Sequence, residues 1–414
     1  MSWWYPTMAV VLSASLSFST SVQAAQPDLQ YRVLGSNAKG DSLLRGPQHQ
    51  QLLLQTLDLQ WQNQLGTNQQ FQLASTLWRT DPQQPASATA EQKLEFSEAY
   101  WSIDEGNWSF SAGKRKRDFD VNYGLRPLDL FSPTDTLALY TVVAPGVWQA
   151  AADWFGADNA WTLLCNQTEQ VFRRYGQTLP ASTGCGARYY QQAGDLEWQA
   201  LAHYDEDIGW RVGASQVWVL NAGLALQGSL LWQQHYWTNH WIKWPTSQQP
   251  AGAGVGVGTG IDRPLADALQ QQGAWQLSTG LNYTAAAGWN LILEYSYDGQ
   301  ASADRDWQAL QQRLQGPALH TLERQSSLQL FSGRQLTRQQ WLIHLRAEGD
   351  WHPSLTLLYQ PAVTGLLISG AVSYSVSDQF KINLGIKHFA GPADSSFRLL
   401  GKKHEVVAGA QYAF

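Results

Sequence analysis

The densest run of chemically capable side chains is Lys114 to Asp129, which reads K-R-K-R-D-F-D-V-N-Y-G-L-R-P-L-D. It sets Lys114, Arg115, Lys116 and Arg117 against Asp118, Asp120 and Asp129, with Arg126 between them. Side chains of an extended backbone alternate between two faces, so Arg115 and Arg117 share one face and Lys114 and Lys116 the other. Guanidinium groups set against Asp118, Asp120 or Asp129 across a water-filled passage would create a transverse field that sorts solutes by charge and size. Lysines on the opposite face would snorkel toward lipid phosphates. A solvated loop also carries such ion pairs, each worth little, and both readings stand at this stage.

Other chemistry is sparser. Cys165 and Cys185 lie in flanks that read as the two arms of one hairpin, which suits a disulfide in an oxidising compartment. His235 to Pro245 (H-Y-W-T-N-H-W-I-K-W-P) gathers Tyr236, Trp237, Trp241 and Trp244. It reads as an interfacial aromatic girdle or a sugar-stacking platform; a His235/His240 metal site has no nearby Cys or carboxylate to complete it. Asp205-Glu206-Asp207 offers carboxylates for a divalent cation or simply a solvated turn. Gly252–Gly260 lacks the Lys-Ser/Thr of a phosphate loop and reads as linker. There is no Gly-x-Ser-x-Gly and no His-Glu-x-x-His. Ser102 and His203 could be paired as a lipid-facing nucleophile and base, as many pairs could by chance. No enzyme, metal or cofactor is expected.

The elements that must hold these residues are strands. Alternation of apolar with small or polar side chains returns at 28–35, 51–61, 70–78, 93–103, 107–115, 146–155, 160–166, 184–192, 195–204, 209–219, 223–233, 274–285, 290–299, 339–347, 354–360, 365–376, 379–389 and 404–414. That makes eighteen, with sixteen open. In 93–103, Leu94, Phe96 and Tyr100 fall on one face; in 107–115, Trp108, Phe110 and Ala112 face out and Ser109, Ser111 and Gly113 in. Small polar inner faces suit a wet lumen rather than a dry core. Every second connection is brief and rich in Gly, Asn or Asp, whereas the alternate set holds every long insertion, including 116–145, 234–273 and 300–338. A soluble sandwich has no reason to sort its loops by parity; a barrel inserted from one side of a membrane does. Helix is expected at Asp304–Leu314, where Trp307, Leu310 and Leu314 share a face, and more weakly at Arg263–Gln271.

Composition and the chain ends fit. Of 414 residues, 44% are hydrophobic and only 14% charged, while 21 Trp and 16 Tyr suit two aromatic belts. A net charge of −6 is too mild to imply nucleic acid. Met8–Phe18 followed by Val22-Gln23-Ala24 matches a signal peptide over residues 1–24, although no basic residue precedes Arg32. Residues 25–414 then form one domain. The last strand puts Val406, Ala408, Ala410, Tyr412 and Phe414 on one face.

That ending resembles the C-terminal signature of bacterial outer-membrane barrels, which the barrel-assembly machinery reads through the final aromatic. Tyr123 to Pro133, Y-G-L-R-P-L-D-L-F-S-P, resembles a segment of porin-like outer-membrane proteins, including alginate-export-like barrels. Arg126 stands where that family often has Asn, and Tyr123-Gly124 where it has Trp-Gly. The resemblance implies a channel and names no solute. The expectation is therefore an all-β, transmembrane, antiparallel up-and-down β-barrel in the outer membrane of a Gram-negative bacterium. It would meet outer-membrane lipid and lipopolysaccharide and pass small hydrophilic solutes. A receptor or adhesin with a plugged lumen, and a barrel enzyme acting on lipid, are the rival readings. Solute, ion preference, direction and oligomeric state are not legible.

Overall fold

The computed structural model describes residues 27–44, 46–84, 90–131, 145–168, 182–238, 269–315 and 335–414. The expected signal peptide, the Gly252–Gly260 run, Trp241 and Trp244 lie outside the described residues. Eighteen strands form a single sheet. They are β1 (Asp28–Ser42), β2 (Gly46–Gln64), β3 (Gln69–Gln84), β4 (Glu91–Glu105), β5 (Trp108–Arg115), β6 (Val147–Phe155), β7 (Asn159–Thr168), β8 (Ser182–Ala193), β9 (Leu196–Asp205), β10 (Gly209–Asn221), β11 (Leu224–Thr238), β12 (Leu269–Thr284), β13 (Trp289–Asp298), β14 (Gln339–Ala347), β15 (Trp351–Gln360), β16 (Gly365–Ser375), β17 (Phe380–Ala390) and β18 (His404–Ala413). Each pairs antiparallel with its sequence neighbours, and β18 returns to β1 from Lys39↔His404 to Gln30↔Ala413. The sheet is a closed barrel with no free edge, the form a β-structure must take in lipid.

Its distribution of polarity is inside-out. Trp275, Ile386, Leu384 and Leu163 are 52–53% exposed, whereas Ser278 and His203 are fully buried and Glu294 and Arg211 nearly so. Soluble proteins bury the first kind of residue and solvate the second. Here the outer face is the apolar one, and aromatic rows lie at both of its margins. Trp108↔Trp154↔Trp161↔Tyr189 runs across β5–β8 near the short turns, and Tyr295↔Trp341↔Tyr359 crosses β13–β15 toward the long loops.

The structure departs from the sequence reading at several places. In β4 an extra residue, Ser97, stands between the pairs Ala74↔Glu98 and Ser75↔Phe96. This β-bulge inverts the phase. Leu94 and Phe96 face out, but Tyr100 turns into the lumen with 8% exposure and Trp101 takes the lipid side. Tyr100 donates to Gln72 at 2.8 Å instead of joining the outer face. Leu269–Gln271 is not helical: it extends β12 against Tyr236–Thr238 of β11, because the ladder satisfies its backbone groups there. The strands β1 and β2 also run past their expected limits, leaving only 43–45 between them.

Asp304–Leu314 is a helix, α1, as its periodicity indicates. Trp307 and Leu310 are fully buried in a cluster with Leu342 (β14), Leu358 (β15), Leu367 (β16) and Phe389 (β17). Phe397 and Leu399 of a short helix, α2 (Ser396–Leu399), join it. This cluster fills the lumen near the long-loop end along β13–β17. Trp307 Nε1 donates to the Leu336 carbonyl at 3.0 Å, satisfying its one polar atom.

Candidate pore constriction

The functional geometry belongs to the segment Lys116–Phe131, which follows β5 and folds inward. It is fixed first beside its own root. Arg117 Nη2 meets Asp153 Oδ2 of β6 at 2.7 Å, Nη1 meets Oδ1 at 3.0 Å, and Nε donates to Gln149 at 2.8 Å. Thr162 of β7 donates to the same carboxylate at 2.6 Å. Both partners of the pair are 9% exposed, so the bidentate fork is shielded from water. Arg115 donates to Ser111 at 3.1 Å, with its guanidinium 4.6 Å from the Tyr100 ring centre.

The segment then crosses the barrel. The Phe119 carbonyl accepts from Gln199 of β9, and Arg188 of β8 lies 4.8 Å from the Phe119 ring centre. Asp120 accepts from the Leu128 N–H at 2.6 Å and from the Asn122 side chain at 2.9 Å, while Asn122 donates to Ser229 of β11. At the far wall Glu294 of β13 accepts the N–H groups of Tyr123 and Gly124, at 2.7 and 2.6 Å. The Tyr123 ring stacks on His344 of β14 at 4.3 Å. In an eighteen-strand ring β14 stands nine places from β5, so it is the diametrically opposite strand. Eight residues of extended chain from Arg115 to Tyr123 reach at most about 29 Å, and contacts on β9, β11 and β13 carry the segment along that inner wall, narrowing the lumen from one side. Leu128 and Phe131 then return to an apolar cluster with Val147, Leu164, Leu201 and Leu231 on β6, β7, β9 and β11.

Six charged residues are candidates for a pore constriction. Arg115, Arg117, Asp120 and Asp129 anchor the segment or are buried in it, Asp129 at 1% exposure. Burial raises the Asp120 carboxyl above the ordinary range, opposed by the N–H groups of Asn122 and Leu128. Asp118 and Arg126 pair with each other and keep 49% and 21% of their side-chain surface exposed. Lys116 does not face outward. The strand ends at Arg115, alternation lapses, and the Lys116 N–H donates to Glu98 of β4 at 3.1 Å. Burial lowers its ammonium below the usual lysine value, offset by the fields of Glu98 and Asp58. Asp58 of β2 in turn accepts from Thr76 at 2.6 Å and lies 3.9 Å from Arg32 of β1.

Sequence reasoning missed Glu294, Asp153 and Asp58. Asp153 and Asp58 are each the one acid in an otherwise neutral lumen-facing row, and Glu294 shares its row with Asp298 alone; that oddity was the available signal. The other candidates sort plainly. Cys165 and Cys185 are directly opposite on β7 and β8 and form a disulfide on the outer face. Tyr236 is buried at 6%, so it offers no open stacking face; the Trp237 side chain lies outside the described residues. Asp205 is 1% exposed and accepts from Ser182 and from the N–H groups of Asp207 and Ile208, closing a turn rather than presenting an open cation site. Ser102 and His203 both face inward on separate strands. His203 is occupied by Asn166 at 2.7 Å and Arg211 at 2.9 Å. Tyr412 and Phe414 pack edge to face on the outer surface, 38% and 68% exposed.

No family model matches this chain, and no curated protein does. Its fold is similar to solved outer-membrane channels. OccAB1 of Acinetobacter baumannii superposes with a TM-score of 0.57 at 9% identity, covering 94% of this chain and 96% of that one. OccK5 (OpdH) of Pseudomonas aeruginosa gives 0.55 at 9%, covering 94% and 98%. OccK8 (OprE) of the same organism gives 0.54 at 10%, covering 94% and 98%. At such identities the likeness is one of fold.

Proposed function

We propose that this chain is an outer-membrane channel for small hydrophilic solutes, its aperture set by the Lys116–Phe131 partition. The observation that carries the reading is the Glu294 latch. A barrel held open for passage needs its constricting segment fixed at both walls, and Glu294 fixes it opposite its root. Eighteen strands enclose an aqueous lumen. The α1 cluster occupies β13–β17 and reaches Ser42 and Leu44 at the end of β1, and the partition occupies the β6–β14 side, so the route left for solute follows the β1–β4 wall. Arg32, Asp58, Glu98 and Lys116 line it, with Asp118 and Arg126 on the partition. Cations and carboxylates set across one passage sort solutes by charge.

The fold likeness to Occ channels supports a Gram-negative outer-membrane location, as does the apolar outer face. Tyr412 and Phe414 serve, on this reading, as an aromatic pair presented to the assembly machinery, since both sit exposed on the outer surface of the closing strand. Reversal potential in a salt gradient tests the route: Asp58→Asn should shift selectivity toward anions and Lys116→Gln toward cations. If neither shifts it, the passage lies elsewhere.

A further inference from the structure

The seam where the barrel closes carries a feature on its outer face that passage does not use. His388 of β17, His404 of β18, Lys39 of β1 and His49 of β2 form one continuous cross-strand row. The His388 and His404 rings stack at 4.6 Å with ring nitrogens 3.0 Å apart. Lys403 and Arg398 add their positive field at His404. Lys39, Lys403 and Arg398 form no ion pair among the described residues, unlike Arg79, which Asp81 neutralises at 2.9 Å elsewhere on the outer face. Asp41, one cross-strand pair farther out on β1, is the nearest carboxylate on that face in register.

Below the row the surface changes character. Ile386–Val406–Asn37–Gln51 comes directly beneath it, then Leu384–Ala408–Gly35–Leu53, then Ile382–Ala410–Val33–Gln55. Small residues at the seam make a shallow floor, and Ile386 and Leu384, over half exposed, form one wall. From His404 to Tyr412 the strand runs eight residues, about 27 Å at ~3.4 Å each. With strands tilted roughly 40°, that is a height of about 21 Å, most of the ~25 Å apolar band of such barrels. The row therefore stands at the headgroup level of the leaflet on the long-loop side, with the apolar floor beneath it.

We propose that this seam holds one phosphorylated, multiply acylated glycolipid of the outer leaflet, its phosphate on the His388–His404–Lys39–His49 row and an acyl chain along the Ala408–Gly35 floor. The proposal rests on the outer-membrane reading but not on conduction. Lys39 at membrane level attracts an anionic headgroup, the imidazoles beside it offer N–H donors, and the apolar floor below matches the acyl half of such a lipid.

The test uses the full chain in phosphatidylethanolamine vesicles doped with a bisphosphorylated glycolipid or its dephosphorylated counterpart. Lipid retained on extraction is counted by native mass spectrometry. The unaltered protein should retain the phosphorylated form roughly fivefold better, the scale expected for one lysine, Lys39, near an anionic surface, with the imidazoles as N–H donors. Lys39→Gln combined with His404→Gln should abolish that preference, and Arg79→Gln should leave it intact. Equal retention of the two lipids by unaltered protein would overturn the proposal without any variant having to fold. So would a preference that survives the double substitution, or lipid displaced by millimolar inorganic phosphate. Heat-modifiable electrophoretic mobility reports the barrel separately, so a preference lost in the double variant while its barrel stays intact places the phosphate on this row.

Discussion

The Arg117–Asp153 pair shows how a charge that looks functional becomes architectural. Two groups at 2.7 Å, each 9% exposed, support one another because little water competes. Removing one partner strands the other, which typically costs about 3–5 kcal/mol. Arg117→Met should therefore lower the unfolding temperature sharply in detergent, and Asp153→Asn should do so by a similar amount. Combining them should cost less than the sum, which a double-mutant cycle would read. From sequence, Arg117 was assigned to the lumen by alternation. Its use was not legible, since Asp153 lies 36 residues away and they become neighbours only when β6 pairs with β5 and the segment after β5 folds back over it. Glu294 was not legible because the apolar row Leu291, Leu293, Tyr295 and Tyr297 marks the strand and says nothing of what its inner face holds. Its two N–H partners belong to a segment 170–171 residues earlier.

At the scale of elements, alternation succeeds until something breaks its period. Ser97 does so without a glycine or proline to announce it, so Tyr100 fell on the wrong face in the sequence reading. Deleting Ser97 should force one half of β4 to present its polar row to lipid. The expected result is a severe loss of assembled, heat-modifiable barrel, whereas Ser97→Ala, which keeps the extra residue, should assemble. The disulfide ties neighbouring strands across 20 residues of sequence. Loop-closure entropy values such a link at about 3 kcal/mol in the unfolded chain. Replacing both cysteines by serine should accordingly lower stability under chemical denaturation while leaving the channel conducting. The helix α1 was legible because Trp307 and Leu310 recur at helical spacing and have a cluster to enter. Leu269–Gln271 was not, because its strand state depends on β11 standing beside it.

Over the whole molecule, the barrel was readable because lipid imposes one rule on every strand at once. Each must be apolar outside, and successive connections must alternate between the two sides of the membrane. Strand number followed from counting such units; the closure Lys39↔His404 and the diametric course of the Lys116–Phe131 segment did not, since both depend on ring geometry. The partition is the claim on which conduction turns. Single-channel recording in planar bilayers, comparing the unaltered chain with Glu294→Ala, tests it most directly. Losing two charge-assisted hydrogen bonds removes roughly 1.5–3 kcal/mol each from the latch. The unaltered protein should give discrete steps, and the variant larger and noisier ones. Silent bilayers containing correctly folded barrel, or identical steps from both proteins, would contradict the account.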